Sequence, residues 1–266
     1  MDDHTSGQLT GTAADIYEEF FVPALFGQFA PRIADALRLH PEDRVLDVAC
    51  GTGVVAREAA RRVATAGQVV GLDRNEAMLA VARRLAPTIG WQSGRAESLP
   101  FAAASFDAVA CQFGLMFFED RKAALREMWR VLRPGGRLAV AVWAALQRSP
   151  GYATLAALLD RLFGREVASS LHAPFVLGDE RALLALFRDA GIASPQLTTV
   201  DGTARFASVE AWVHTDIKGW TLADVLDDTQ YSRLLAEAKT VLKPYADRDG
   251  RVAFPAPALL VTAVRT

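Results

Sequence analysis

From Arg44 to Trp143, short apolar runs alternate with segments whose apolar residues recur every three to four positions. Short apolar runs bounded by turn residues read as buried strands, and the wider spacing reads as helices with one face on a core. The pattern predicts strand 44–48, helix 54–65, strand 68–72, helix 75–86, a short strand near 91–95, strand 106–111, helix 121–132 and a fifth strand from Arg137 to Trp143. Strands separated by helices of this length specify a parallel sheet covered on both faces. Arg133-Pro134-Gly135-Gly136 supplies the glycine and proline that a helix end calls for.

The flanks follow other patterns. Residues 1–12 read as a polar tail, and Ala13–Leu39 as a helical leader rich in aromatics, interrupted by Pro23 and Pro31. After Trp143 the alternation stops. Ser149-Pro150 caps a helix over 150–163, Gly164 ends it, and another helix spans about 180–190. Gln196–Phe206 reads as one strand, 208–247 as mostly helical, and Arg251–Arg265 as a final strand whose first half Pro255 and Pro257 confine to an edge or bulge. Three regions result: a leader, 1–39, packing over the site; an α/β core, 40–143; and 144–266, holding helical cap insertions and the last two strands. Ligands of open α/β sheets bind beyond the carboxyl ends of the strands, where such a cap would lie.

The chemistry concentrates at Val45–Gly53. An apolar strand runs through Asp47 into Ala49-Cys50-Gly51-Thr52-Gly53, and a helix opens at Val54. Gly51 and Gly53 permit a tight turn and a close approach of backbone to a ligand. Such a turn alone serves many nucleotides. Some twenty residues on, Val69-Val70-Gly71-Leu72-Asp73 sets a carboxylate at a strand end, where it can accept both hydroxyls of a ribose. A nicotinamide-binding loop is the structural rival, but it prefers a third glycine where Ala56 stands.

Composition narrows the classes. Apolar residues make up 51% and charged residues 23% of 266, ordinary values for a globular protein. The net charge of −2 leaves no whole-chain footprint for nucleic acid. The polar, acidic start lacks a signal-peptide core, no apolar run approaches a membrane span, and Cys50 and Cys111 read as reduced and packed. The expectation is a cytoplasmic protein with no resident metal.

Five segments resemble the class I S-adenosylmethionine-dependent methyltransferases, above all the ubiquinone- and menaquinone-biosynthesis group that includes many small-molecule methyltransferases. They are Val45–Gly53, Gly71-Leu72-Asp73 with Met78, Gly94–Phe101, Ser105–Val109 and Arg130–Leu138. The resemblance implies a Rossmann-like, mostly parallel seven-stranded sheet with an antiparallel last strand, plus the cap. It implies S-adenosylmethionine as cofactor, S-adenosylhomocysteine as product, and in-line displacement of the sulfonium methyl by an acceptor. It assigns Asp47 and the backbone of Ala49, Gly51 and Gly53 to the methionine portion, Asp73 to the ribose, Met78, Ala96 and Glu97 to the adenine, and Gln112 to the methionyl end. Arg95 departs from the pattern, standing where relatives often carry an acid; arginine cannot accept a hydrogen bond.

The acceptor is expected to be small and fairly apolar, methylated at oxygen or carbon. No Asp/Asn-Pro-Pro-Tyr follows the fourth strand, where amino-methylating nucleic-acid enzymes carry it; Gln112-Phe113-Gly114-Leu115 stands there. A non-catalytic S-adenosylmethionine-binding regulator and an RNA or protein methyltransferase are the alternatives, and a homodimer is an open expectation. Tyr17, Phe21, Phe113, Phe117 and Trp143 are candidate pocket walls or core. Asp216 falls in the apolar arc of Val209, Trp212, Val213 and Trp220, so it is either paired with a structural partner or lines the substrate cavity as a base or orienting acceptor. His172, in a cap loop, is the other candidate base. His4, His40 and His214 read as tail, turn and solvent-facing residues.

Overall fold

The computed structural model describes residues 11–63, 65–218 and 225–266; the side chain of Lys218 and the positions of His4 and Trp220 lie outside the described residues. Helix α1 (Gly11–Ile16) runs directly into wide π-helical turns at Tyr17–Phe26, and α2 (Ala30–Leu37) follows. Pro23 does not interrupt the leader as the sequence suggests. Proline removes a donor from a helix interior, and the wider turn absorbs the loss: the Gly27 amide reaches back five residues to the Val22 carbonyl at 2.7 Å. Pro31 sits in the first turn of α2, where its missing N–H is harmless.

Then come β1 (Arg44–Val48), α3 (Val54–Val63), β2 (Gln68–Asp73), α4 (Glu76–Leu85), β3 (Gly90–Ser93), β4 (Phe106–Gln112), α5 (Arg121–Val131) and β5 (Leu132–Trp143). The remainder is α6 (Pro150–Phe163), α7 (Arg165–His172), α8 (Glu180–Asp189), β6 (Gln196–Val200), β7 (Thr203–Phe206), α9 (Val209–Lys218), α10 (Asp228–Val241), β8 (Val252–Pro255) and β9 (Ala258–Val264). Among the described residues, seven strands form one sheet in the order β3-β2-β1-β4-β5-β9-β6. Only β9 runs antiparallel to its neighbours, β5 and β6. The expected Rossmann-like sheet with an antiparallel last strand is therefore present. Its central strands β1 and β4 are apolar on both faces because helices cover both.

Two expected strands are each broken. Gln196–Phe206 divides at Asp201-Gly202, and β7 leaves the main sheet to pair with β8 in a separate two-stranded ribbon. Arg251–Arg265 divides at Ala256-Pro257 in the same way. The breaks face each other, Ala256 N–H donating to the Gly202 carbonyl at 2.9 Å. A methyl on Gly202 would fall 2.3 Å from the Phe29 ring and 2.5 Å from the Ala256 carbonyl oxygen. Gly202→Ala is expected to cost about 1–3 kcal/mol, the range for overpacking, seen as a Tm lower by several degrees with an unchanged far-UV spectrum.

The leader is fastened over the carboxyl edge of the sheet. Glu18 pairs with Arg57 of α3 at 2.7 Å, and Asp15 with Arg84 of α4 at 2.7 Å. Gln28 exchanges two hydrogen bonds with the Thr203 backbone, at 2.9 and 3.0 Å. Tyr17, Phe21 and Phe26 thereby sit above the ends of β1, β4 and β5.

Candidate functional site

Two cavities adjoin beneath the leader. The first is a cleft of about 800 Å³, counted to its open mouth, at the carboxyl ends of β1, β2 and β4. Ala49, Gly51, Asp73, Met78, Ala96, Glu97 and Gln112 all line it, so seven of the nine expected cofactor positions converge. The β1–α3 turn is strained: Ala49 and, across the cleft, Phe113 hold left-handed backbones at φ 55° and 54°. Outside glycine this conformation costs about 1–2 kcal/mol. Gly114 must be glycine here, since a methyl on it would lie 2.5 Å from the Ala49 Cβ.

Asp73 joins the two loops that form the floor. Its Oδ2 accepts the Gly51 amide at 2.8 Å and its Oδ1 the Asn75 amide at 2.8 Å. Asn75 in turn caps α4, accepting from the Ala77 and Met78 amides, which fixes Met78 beside the cleft. Burial raises the Asp73 pKa above its ordinary value, and the amide donors pull it back.

Asp47 and Gly53 do not line the cleft. Asp47 is 1% exposed beneath the turn, its Oδ2 accepting the Ala56 amide of α3 at 2.9 Å. Its Oδ1 is buried without a hydrogen-bond partner among the described residues. Burial pushes Asp47 up to about 8; Asp73 adds to this, while the Ala56 amide and Arg57 oppose it. Gly53 instead abuts Trp91, whose ring would be 2.2 Å from an added methyl. Gly51, at φ 54°, has open space where a side chain would stand.

At the mouth, Glu97 accepts the Glu119 amide at 3.1 Å, and Arg95 pairs with Glu119 at 2.8 Å. Arg95 thus belongs to an exposed ion cluster with Glu97 and Glu119. The loop bearing Ala96 and Glu97 is held from behind, where Glu127 accepts the Leu99 amide and Arg130 donates to the Leu99 and Phe101 carbonyls.

The second cavity, about 530 Å³ to its mouth, is walled by aromatic residues. Tyr17, Phe113 and Phe117 border both spaces. Phe113 stacks on Trp143 with centroids 3.8 Å apart, and Tyr17 stacks on Phe26 at 5.0 Å. All five aromatics singled out in the sequence line this chamber. The cap contributes Tyr152 from α6, Leu171 and Phe175 from the α7 end, and Asp216 from α9. Tyr152 was not legible as a site residue; on an amphipathic helix it reads as core.

Asp216 lies in the chamber wall, and its Oδ2 has no hydrogen-bond partner among the described residues. His172 is a correction. It ends α7 on the outer side and is exposed, while its neighbours Leu171, Pro174 and Phe175 face inward. That position removes it as a base. No cluster of metal-ligand residues occurs among the described residues, and none of their helices is long and apolar enough to cross a membrane.

Strand order and the single antiparallel strand define the class I methyltransferase fold. A solved structure of a putative methyltransferase from Bacillus halodurans shares it, with a TM-score of 0.62 at 21% identity over 90% of this chain and 100% of that one. Within the fold, residues 46–140 match the family model of the methyltransferase domain. This segment is a class I, S-adenosylmethionine-dependent type of methyltransferase domain, similar to those of quinone biosynthesis. The 2-phytyl-1,4-naphtoquinone methyltransferase of Thermosynechococcus vestitus is 45% identical over 109 residues, 40% of this chain and 48% of that protein. The ubiquinone/menaquinone biosynthesis C-methyltransferase of Xanthomonas oryzae is 46% identical over 109 residues, 39% and 43% of the two chains. The match therefore spans about half of those relatives and leaves the cap outside it.

Proposed function

We propose that this protein transfers a methyl group from S-adenosylmethionine to a small, fairly apolar acceptor, at oxygen or carbon. The observation that carries the reading is the pair of adjoining cavities, one polar and carboxylate-floored, the other aromatic, with a shared border at Tyr17, Phe113 and Phe117.

The residues of the cleft fit the cofactor. Asp73 keeps lone pairs free for a ribose diol beyond its backbone amide donors, and the buried Asp47 carboxyl, beneath the turn and outside the cleft lining, would set negative charge behind the turn for the ammonium of the methionine portion. Gln112, whose Oε1 is buried and unpartnered among the described residues, lines the cleft and would meet the methionyl end. The bound cofactor would supply a methyl already activated on a sulfonium. The chain's own part is then to orient the acceptor and exclude water, and orientation alone is worth up to about 7–11 kcal/mol of barrier in favourable systems. The aromatic walls suit a flat acceptor, as do the quinone substrates in the relatives' names. A cytoplasmic setting belongs to the same proposal, supported by two free, buried thiols.

Calorimetric titration of the purified protein with S-adenosylmethionine, followed by mass spectrometry of quinol-like and phenolic acceptors, tests this. The expected result is saturable one-to-one binding and a methylated product. A folded protein that binds no S-adenosylmethionine, with or without acceptor, overturns the reading.

A further inference from the structure

Tyr152 and Asp216 reach the aromatic chamber from different helices, α6 and α9. Both are buried, and among the described residues neither Tyr152 Oη nor Asp216 Oδ2 has a hydrogen-bond partner. An orphaned buried polar atom is costly, and native proteins hold few of them. Two in the wall of one apolar cavity mark a place made for a polar group that arrives with a ligand. Most of the rest of the wall cannot serve it: Phe21, Phe26, Phe113, Phe117 and Phe175 offer rings only, and Tyr17 stands at the border with the cleft.

The type of group follows from what the two atoms can do. Burial pushes Asp216 up to about 8, with hydrogen bonding from the Trp212 indole one turn away lowering it by less, which favours the uncharged carboxyl near neutral pH. An uncharged acid beside a phenol favours a neutral partner over a cation. A hydroxyl matches both, donating to Asp216 Oδ2 while accepting from Tyr152 Oη. Neither residue lines the cofactor cleft; among the described residues only Tyr17, Phe113 and Phe117 border both spaces.

We propose that Tyr152 and Asp216 form an orienting site for a hydroxyl carried by a flat aromatic acceptor, at a position on that acceptor separate from the atom that is methylated. This rests on the methyl-transfer reading for the identity of the neighbouring cleft. It makes the pair positioning residues and leaves the methylated atom at the Tyr17, Phe113 and Phe117 border. Acceptors then need two features, a nucleophilic atom and a hydroxyl some distance from it.

Equilibrium dialysis against β-naphthol, β-naphthylamine and β-methylnaphthalene tests the site, because the three differ only in one group of similar size. The full chain and its Tyr152→Phe and Asp216→Asn variants are compared, each also titrated with S-adenosylhomocysteine. The expected result is that the wild type prefers the naphthol to the methyl compound by about tenfold, the worth of one to two neutral hydrogen bonds. Each variant should lose most of that preference while still binding the methyl compound. A purely structural role would shift all three ligands together. Equal binding of naphthol and methylnaphthalene, retention of the preference in both variants, preference for the amine, or no naphthol binding each overturns the proposal. S-adenosylhomocysteine affinity should stay within about twofold throughout; its absence in the wild type would overturn the methyl-transfer reading and leave the naphthol comparison standing.

Discussion

Replacing Asp73 by alanine is expected to weaken S-adenosylmethionine binding by at least about a hundredfold. The carboxylate stands at the end of β2 with both oxygens aimed at backbone amides, Gly51 on one side and Asn75 on the other. Removing it has two effects. It takes away the acceptors assigned to the ribose diol, and hydrogen bonds to a charged group are each worth about 1.5–3 kcal/mol. Two of them correspond to roughly a hundredfold to ten-thousandfold in affinity. It also frees the Gly51 amide, so the turn loses the brace that holds it open at φ 54°. Asp73→Asn separates these effects, because its carbonyl can still accept the Gly51 amide but only one further acceptor remains. The asparagine variant should fall between wild type and alanine. A folded alanine variant that binds within tenfold of wild type would remove Asp73 from the ribose site.

That carboxylate was legible because its signal is local: an apolar run ends in an acid, a fixed distance after a glycine turn. The same holds for the β1–α3 turn and for the helix stop after Val131. What stayed hidden depends on partners far along the chain. The alternation through Gln196–Phe206 continues across Gly202, so nothing nearby reveals that Phe29 and Ala256 crowd that residue. The π-helical turns at Tyr17–Phe26 are a response to Pro23 in a helix already pinned by Arg57 and Arg84. Asp216 could be singled out because an acid inside an apolar arc breaks the helical pattern. Tyr152 could not, since a tyrosine in such an arc breaks nothing. His172 failed for a related reason: one residue's shift along α7 moves a side chain from the chamber to the outer surface, and its sequence neighbours give no phase.

The free protein is expected to lose stability as pH rises from about 4 to 8, and cofactor binding to release a proton over the upper part of that range. Asp47 and Asp216 both carry pKa values raised by burial from 3.8 to about 8. A raised acid binds more protons folded than unfolded, so its contribution to stability is complete below 3.8 and lost as pH climbs through about 8. Each group adds a slope of up to about 1.4 kcal/mol per pH unit. Denaturant titrations at a series of pH values should show this, with Asp216→Asn flattening part of the slope. Cofactor binding separates the two acids. An ammonium seated on the turn above Asp47 favours the charged carboxylate beneath it, so the proton on Asp47 leaves when the cofactor enters. Affinity should therefore rise with pH up to about 8 and level off. Calorimetry in buffers of different ionisation enthalpy counts the proton directly. Asp216→Asn should still release it, because Asp216 lies in the other cavity, whereas Asp47→Asn should not. Binding enthalpies that do not depend on the buffer below pH 8 would show that Asp47 keeps its proton, and that the ammonium is held elsewhere.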